Sequence, residues 1–275
     1  MKTALFSGGF SKYNLEKFFK IAYDSGYDAV EIAGSRPQAY PLDILNGKWK
    51  EIVDLSQKYN LPIISYAPEN TGSPYSLVFE DNKLNEESIE YFKKSIQAAK
   101  KINSKYCMFA VNHPGYSRNK EEVKNLFIKN MKELVSYAEE LKQEIILEPV
   151  TPYEGTIVCN SDDLVWALQE IKSDYFHAML DLACPLTNGE PISDYFEKIG
   201  LDKLVHIHFI DAHKDSENHL IPGDGEIDFP NVVRYLKKIG YQGHLSLELF
   251  SMYENEPEFS AIKGIERIKY YLNNY

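Results

Sequence analysis

The segment KLVHIHFIDAHK, residues 203–214, is the stretch on which the fold turns. Its middle, LVHIHFI, reads as a strand, and residues two apart in a strand point to the same face. Val205, Ile207 and Phe209 then share one face, and His206 and His208 the other. A strand covered on both sides is nearly continuous in apolar residues, as strands of a parallel sheet are. Two imidazoles on one buried face need partners. Either both are packed, hydrogen-bonded core histidines, or at least one of them binds something.

Seven similar runs lie elsewhere in the chain. They are TALFS (3–7), AVEIA (29–33), LPIISYA (61–67), KYCMFAV (105–111), EIILEP (144–149), HAMLD (177–181) and HLSLELF (244–250). Between the runs stand amphipathic segments with apolar residues near i, i+3 and i+4, such as 14–27, 87–103, 121–142 and 229–241. Strands alternating with helices imply βαβ units and a parallel sheet. Eight such units in 275 residues predict an α/β fold, a single (β/α)8 TIM barrel spanning 1–275. The other arrangement, an open doubly wound sheet, lacks support because SGGFSK after the first strand is not a GxGxxG phosphate loop. SGYDAVEI and IGYQGHLSLE echo one another near the two ends, each a helix exit leading into a strand. Cys107 and Met108 read as core, and the tyrosine-rich IKYYLNNY as a last helix packed on the barrel.

Composition excludes some functions. The chain is 44% hydrophobic and 26% charged, ordinary for a globular protein. A formal charge of -11 counts against nucleic-acid binding, which phosphate neutralisation drives, and suits a cationic ligand. Cys107, Cys159 and Cys184 form no CxxC pair and imply no disulfide framework. Free thiols, an N-terminus without a signal-type apolar stretch and the lack of a membrane-length apolar run predict a cytoplasmic protein with no membrane partner.

Four consecutive runs close on a side chain able to bind a metal: IILE at Glu148, AMLD at Asp181, VHIH at His208 and LSLE at Glu248. In a barrel the C-terminal strand ends converge on one rim, where barrel enzymes hold their sites. A single acidic residue after a strand is explained as a helix cap. Four at one depth predict a site for one divalent metal ion. Three carboxylates and one imidazole suit Mn²⁺ first, then Co²⁺ or Mg²⁺, with Ni²⁺ and Zn²⁺ as further candidates; a structural zinc site would use cysteines. On this reading His208 is a ligand and His206, one layer deeper, a core histidine. The same rim offers Tyr66, Glu69 and Asn70 after the third strand and His113 after the fourth. Glu154 follows the fifth, and His219 precedes the PGDG turn after the seventh. For Glu69, His113 and the PGDG loop a plain solvated surface is the competing reading.

GYDAVEI, PIISYAPENTGSPY, ILEPVTPYEGTIVCNSDD, IPGDGE and ELFSMYENEP resemble the xylose isomerase-like barrel family of sugar isomerases and epimerases over nearly the whole chain. The resemblance implies that Glu148, Asp181, His208 and Glu248 bind the metal and that Glu148 and Glu248 also transfer the proton. It implies a ketose or ketosamine substrate, inverted at C3 through an enediolate, and a homo-oligomer. Glu154 matches a substrate-contacting Glu of the ketose 3-epimerase branch. Cys184 stands where relatives acting on free ketoses carry a His, and Lys214 where they carry an Arg. These departures favour a substituted ketose, whose cationic nitrogen Glu69 or Asp211 would receive. Within the same architecture an aldose–ketose isomerase or inosose dehydratase is the alternative. A DNA-repair endonuclease would need more His and Asp ligands, and a non-catalytic sugar-binding protein would not need the proton-transfer pair.

Overall fold

The structure, a computed structural model, describes residues 1–69, 74–216 and 218–275. Eight strands coincide with the eight apolar runs: β1 (Lys2–Phe6), β2 (Ala29–Gly34), β3 (Ile63–Pro68), β4 (Tyr106–Phe109), β5 (Glu144–Leu147), β6 (Phe176–Asp181), β7 (Leu204–His208) and β8 (His244–Leu247). They form a closed barrel in sequence order, every pair parallel, with β8 returning to β1 through Lys2↔His244 to Leu5↔Leu247. The fold is the (β/α)8 barrel that the alternation implies. The last run, 244–250, is strand only over its first four residues, so Glu248 stands just beyond β8. Glu148 likewise follows β5, although its N–H still donates to the Phe109 carbonyl at 2.8 Å.

Each strand is followed by a helix: α1 (Leu15–Ser25), α2 (Trp49–Tyr59), α3 (Asn82–Lys101), α4 (Lys120–Leu141), α5 (Ser161–Glu170), α6 (Ile192–Ile199), α7 (Phe229–Lys238) and α8 (Pro257–Asn274). Short polar side chains start most of them by accepting an otherwise unpaired backbone N–H. Asn14, Asp81, Asn119, Asn160 and Asp228 do so for α1, α3, α4, α5 and α7. Asp81 starts α3 five residues before the segment 87–103 expected from periodicity.

The pleat divides the strand residues. Leu5, Val30, Ile32, Ile207, Phe209 and Leu245 join the large core shared with the helices, where Phe18, Phe92 and Phe127 are fully buried. Phe6, Ala33, Ala67, Met108, Ile146 and Met179 form a smaller cluster that fills the barrel. That interior also holds polar groups: Glu31, Ser65, His206, His208 and Ser246 are all buried. Two register shifts, at Val30/Glu31 against β3 and at Ala178/Met179 against β7, fall beside the charged members of this set.

Candidate active site

The pleat carries Glu148, Asp181, His208 and Glu248 to the C-terminal mouth of the barrel, all buried. One ligand atom from each lies within 4.8 Å of the others, so the group is able to hold a metal ion. His208 is the centre: its Nδ1 is 2.8 Å from Glu148 Oε1, 2.8 Å from Glu248 Oε2 and 3.6 Å from Asp181 Oδ2. Yet neither His208 Nδ1 nor Asp181 Oδ2 makes a hydrogen bond. Three buried carboxylates around a ring nitrogen, with unsatisfied atoms among them, are a donor set that a cation completes. The mixture of hard oxygens and one imidazole fits a divalent metal ion.

The two glutamates differ in their surroundings. Burial raises Glu148 to about 8, against the attraction of His208. Burial acts on Glu248 too, but His208 and His219 outweigh it and bring that carboxyl down to about 2. His219 Nδ1 lies 3.2 Å from Glu248 Oε2 and its Nε2 3.9 Å from Asp181 Oδ2. Burial works against charge on His219; Glu248, Asp181 and Glu154 outweigh it and push the imidazole up to about 10.

A cleft of about 310 Å³ opens over this group. Phe6, Met108 and Phe250 give it apolar walls; Glu69, Glu148, Glu154, Asp181, Glu248 and Glu254 line it with carboxylates. No lysine or arginine is among its described lining residues. Glu154 Oε2 accepts from the Thr151 N–H at 3.0 Å and its hydroxyl at 2.9 Å, which holds the carboxylate in one orientation. Cys184 lines the floor, fully buried, with its thiol donating to the Pro149 carbonyl at 3.2 Å. Burial keeps that thiol protonated, so Cys184 is a small neutral wall and not a nucleophile. Glu69 lies on the exposed outer rim of the same cleft.

Four expected residues lie elsewhere, each for a local reason. Tyr66 faces out of the barrel into the helix-side core, where its hydroxyl donates to the Ala39 carbonyl at 2.8 Å. The register of β3 puts Ala67 and Pro68 at the cleft instead. His113 is absent from the lining: its Nδ1 accepts from the Gly115 N–H at 2.9 Å, folding the ring onto its own loop. Lys214 is exposed at the tip of the loop after β7. That loop doubles back through an antiparallel bridge, Asp211↔Leu220, which returns His219 to the cleft as its basic side chain. Asp211 receives no substrate nitrogen, because it is fully buried and accepts the N–H groups of Ala212, Gly223, Gly225 and Ile227. The PGDG turn is therefore the cradle of a buried carboxylate rather than a plain surface turn. Asn70 falls outside the described residues.

Sequence reasoning left Glu31 unassigned. It is fully buried in β2, with Oε1 paired to His206 Nε2 and Oε2 3.1 Å from His208 Nε2. Burial works to raise this carboxyl, but the two imidazoles hold it well below the ordinary carboxylate range. The signal was a charge inside AVEIA, the same anomaly as the two histidines of β7. The two anomalies answer each other across the barrel.

Comparison with known proteins agrees with this architecture. A family model described as xylose isomerase-like TIM barrel matches residues 19–271. Fructoselysine 3-epimerase of Shigella flexneri is 38% identical over 98% of this chain and 97% of its own length. Fructoselysine 3-epimerase of Escherichia coli O157:H7 is 37% identical over 98% of each. The crystal structure of a D-tagatose 3-epimerase-like protein superposes with a TM-score of 0.84 at 22% identity, covering 99% of this chain and 97% of that one. With its closed barrel, its rim of ligand-type side chains and these relatives, the chain belongs to the xylose isomerase-like TIM-barrel family.

Proposed function

We propose that this protein is a divalent-metal-dependent epimerase that inverts C3 of a ketosamine, interconverting fructoselysine and its C3 epimer. The observation that carries the reading is the pair of buried carboxylates, Glu148 and Glu248, each 2.8 Å from His208 Nδ1. Inversion needs a proton taken from one face of C3 and another delivered to the opposite face. Two carboxyls at one centre can supply one group that takes the proton and one that returns it. Glu148, Asp181, His208 and Glu248 would hold Mn²⁺, which supplies Lewis acidity to the carbonyl beside C3 and makes that proton removable. The walls that Phe6 and Phe250 give the cleft are apolar and offer water no hydrogen bond. His219 and Glu154 reach the same cleft and are the groups we assign to the sugar hydroxyls.

Cleft charge supports the substituted substrate. A cleft lined by carboxylates without lysine or arginine among its described residues favours a cationic nitrogen over a neutral ketose. Glu69, on the rim, is our assignment for that nitrogen. The two fructoselysine 3-epimerases at 37% and 38% identity support the same choice.

Incubation of the Mn²⁺-loaded protein with fructoselysine in D₂O, followed by NMR, tests this. Deuterium is expected at C3 with a second epimer appearing, and neither with Glu148→Gln. Exchange at C1 alone would replace the reading with an aldose–ketose isomerase. Lack of exchange at any carbon would overturn the assigned substrate.

A further inference from the structure

His208 uses its two ring nitrogens in opposite directions. Nδ1 faces Glu148 and Glu248, and Nε2 faces Glu31 Oε2 at 3.1 Å. Glu31 is 177 residues away in sequence and arrives from β2, on the far side of the barrel. Its second oxygen is paired with His206 Nε2. The side chains of His206, Glu31 and His208 are exposed by 1%, 0% and 0%, so bulk water does not compete for these contacts.

A neutral imidazole has one N–H and one lone pair, and an ionised carboxylate only accepts. The nitrogen that meets Glu31 must therefore carry the hydrogen. With a metal bound among the carboxylates the ring would be neutral, and Nδ1 would offer its lone pair to that ion. We propose that Glu31 is a positioning residue for the metal centre: it fixes the tautomer and ring plane of His208, and His206 holds Glu31 in place. A carboxylate behind a ligating histidine also makes that ring a stronger donor. The inference rests on the metal reading above and goes beyond it, to residues beneath the ligand group. It also gives His206 its reason to share a face with His208.

The competing account is a purely structural ion pair in the barrel interior. The two separate in metal affinity. Wild type, Glu31→Gln and His206→Gln would be prepared metal-free, and Mn²⁺ binding followed through the EPR signal of the free ion. Visible spectra of the Co²⁺-loaded proteins and urea unfolding of the metal-free ones complete the set. For Glu31→Gln we expect Mn²⁺ affinity about 10–100-fold weaker and a shifted Co²⁺ band. His206→Gln should move both in the same direction by a smaller factor. An affinity within about twofold of wild type, with an unshifted Co²⁺ band, overturns the proposal whatever happens to stability, because a structural pair alone would behave so. If Glu31→Gln fails to fold, His206→Gln decides by the same criterion. Two Mn²⁺ ions per wild-type chain would also overturn it, since Nε2 would then be a ligand instead of an N–H donor. A wild type that takes up no Mn²⁺ or Co²⁺ overturns the metal reading itself and is told apart by the failure of the unmutated protein.

Discussion

Asp211 shows how surroundings assign a role that residue type does not. Its carboxylate accepts from the N–H groups of Ala212 at 2.8 Å, Gly223 at 2.9 Å, Gly225 at 2.8 Å and Ile227 at 3.0 Å. A side chain at Gly225 would meet Asp211 Oδ1 and the Ala212 carbonyl at 2.5 Å each, so the close wrap requires glycine there. Asp211→Ala strands several donors, each worth about 1–3 kcal/mol when unsatisfied. We expect about 3 kcal/mol or more of lost stability in urea unfolding, together with a raised KM as the loop carrying His219 loosens. An unchanged urea midpoint would show that water replaces the carboxylate at no cost. The four ligand-type residues were legible because each ends an apolar run. Glu31 was not, because its partners lie 175 and 177 positions away and no local pattern links them. Lys214 misled because spacing was counted along a chain that folds back on itself between Asp211 and Leu220.

Strands and helices were read with few errors, since a strand inside a barrel is buried on two faces and reads as an unbroken apolar run. The echo between SGYDAVEI and IGYQGHLSLE has a physical basis. Gly26 and Gly240 close α1 and follow α7 with φ of 79° and 74°, the left-handed turn glycine permits. Tyr27 and Tyr241 behind them are buried and donate to backbone carbonyls, Ala261 in one case and His244 in the other. The start of α3 was misjudged because a cap, not apolar periodicity, determines where a helix begins. Asn119 is the corresponding cap of α4, accepting from the N–H groups of Glu121 at 2.9 Å and Glu122 at 3.2 Å. Asn119→Ala should cost about 1 kcal/mol in unfolding experiments. Turnover should stay unchanged, because the cap does not touch the cleft; lost activity at full folding would contradict that separation.

For the whole molecule, the polar interior of the barrel sets its response to acid. His244, at the start of β8, is depressed to about 4, by burial first and then by His206. A histidine so depressed binds its proton more readily in the unfolded chain. Stability is therefore lost as pH falls from the ordinary value of 6.5 towards about 4. The slope from this one group is at most about 1.4 kcal/mol per pH unit. His244→Gln should flatten stability across that window in urea titrations at several pH values, and an unchanged slope would assign the acid sensitivity to other groups. Among the described residues no helix is long and apolar enough to cross a membrane.

The loop between β7 and α7 has a further consequence, for descent. Its neck is clamped by reciprocal hydrogen bonds between Asp211 and Leu220, at 2.8 and 2.7 Å, while Lys214 and Asp215 at its tip face solvent. Tip length is thereby uncoupled from the position of His219. Insertions or deletions near Lys214 can accumulate by drift without displacing the side chain that reaches the cleft. A lineage could rework what meets the outer end of a substrate while inheriting the same inner chemistry.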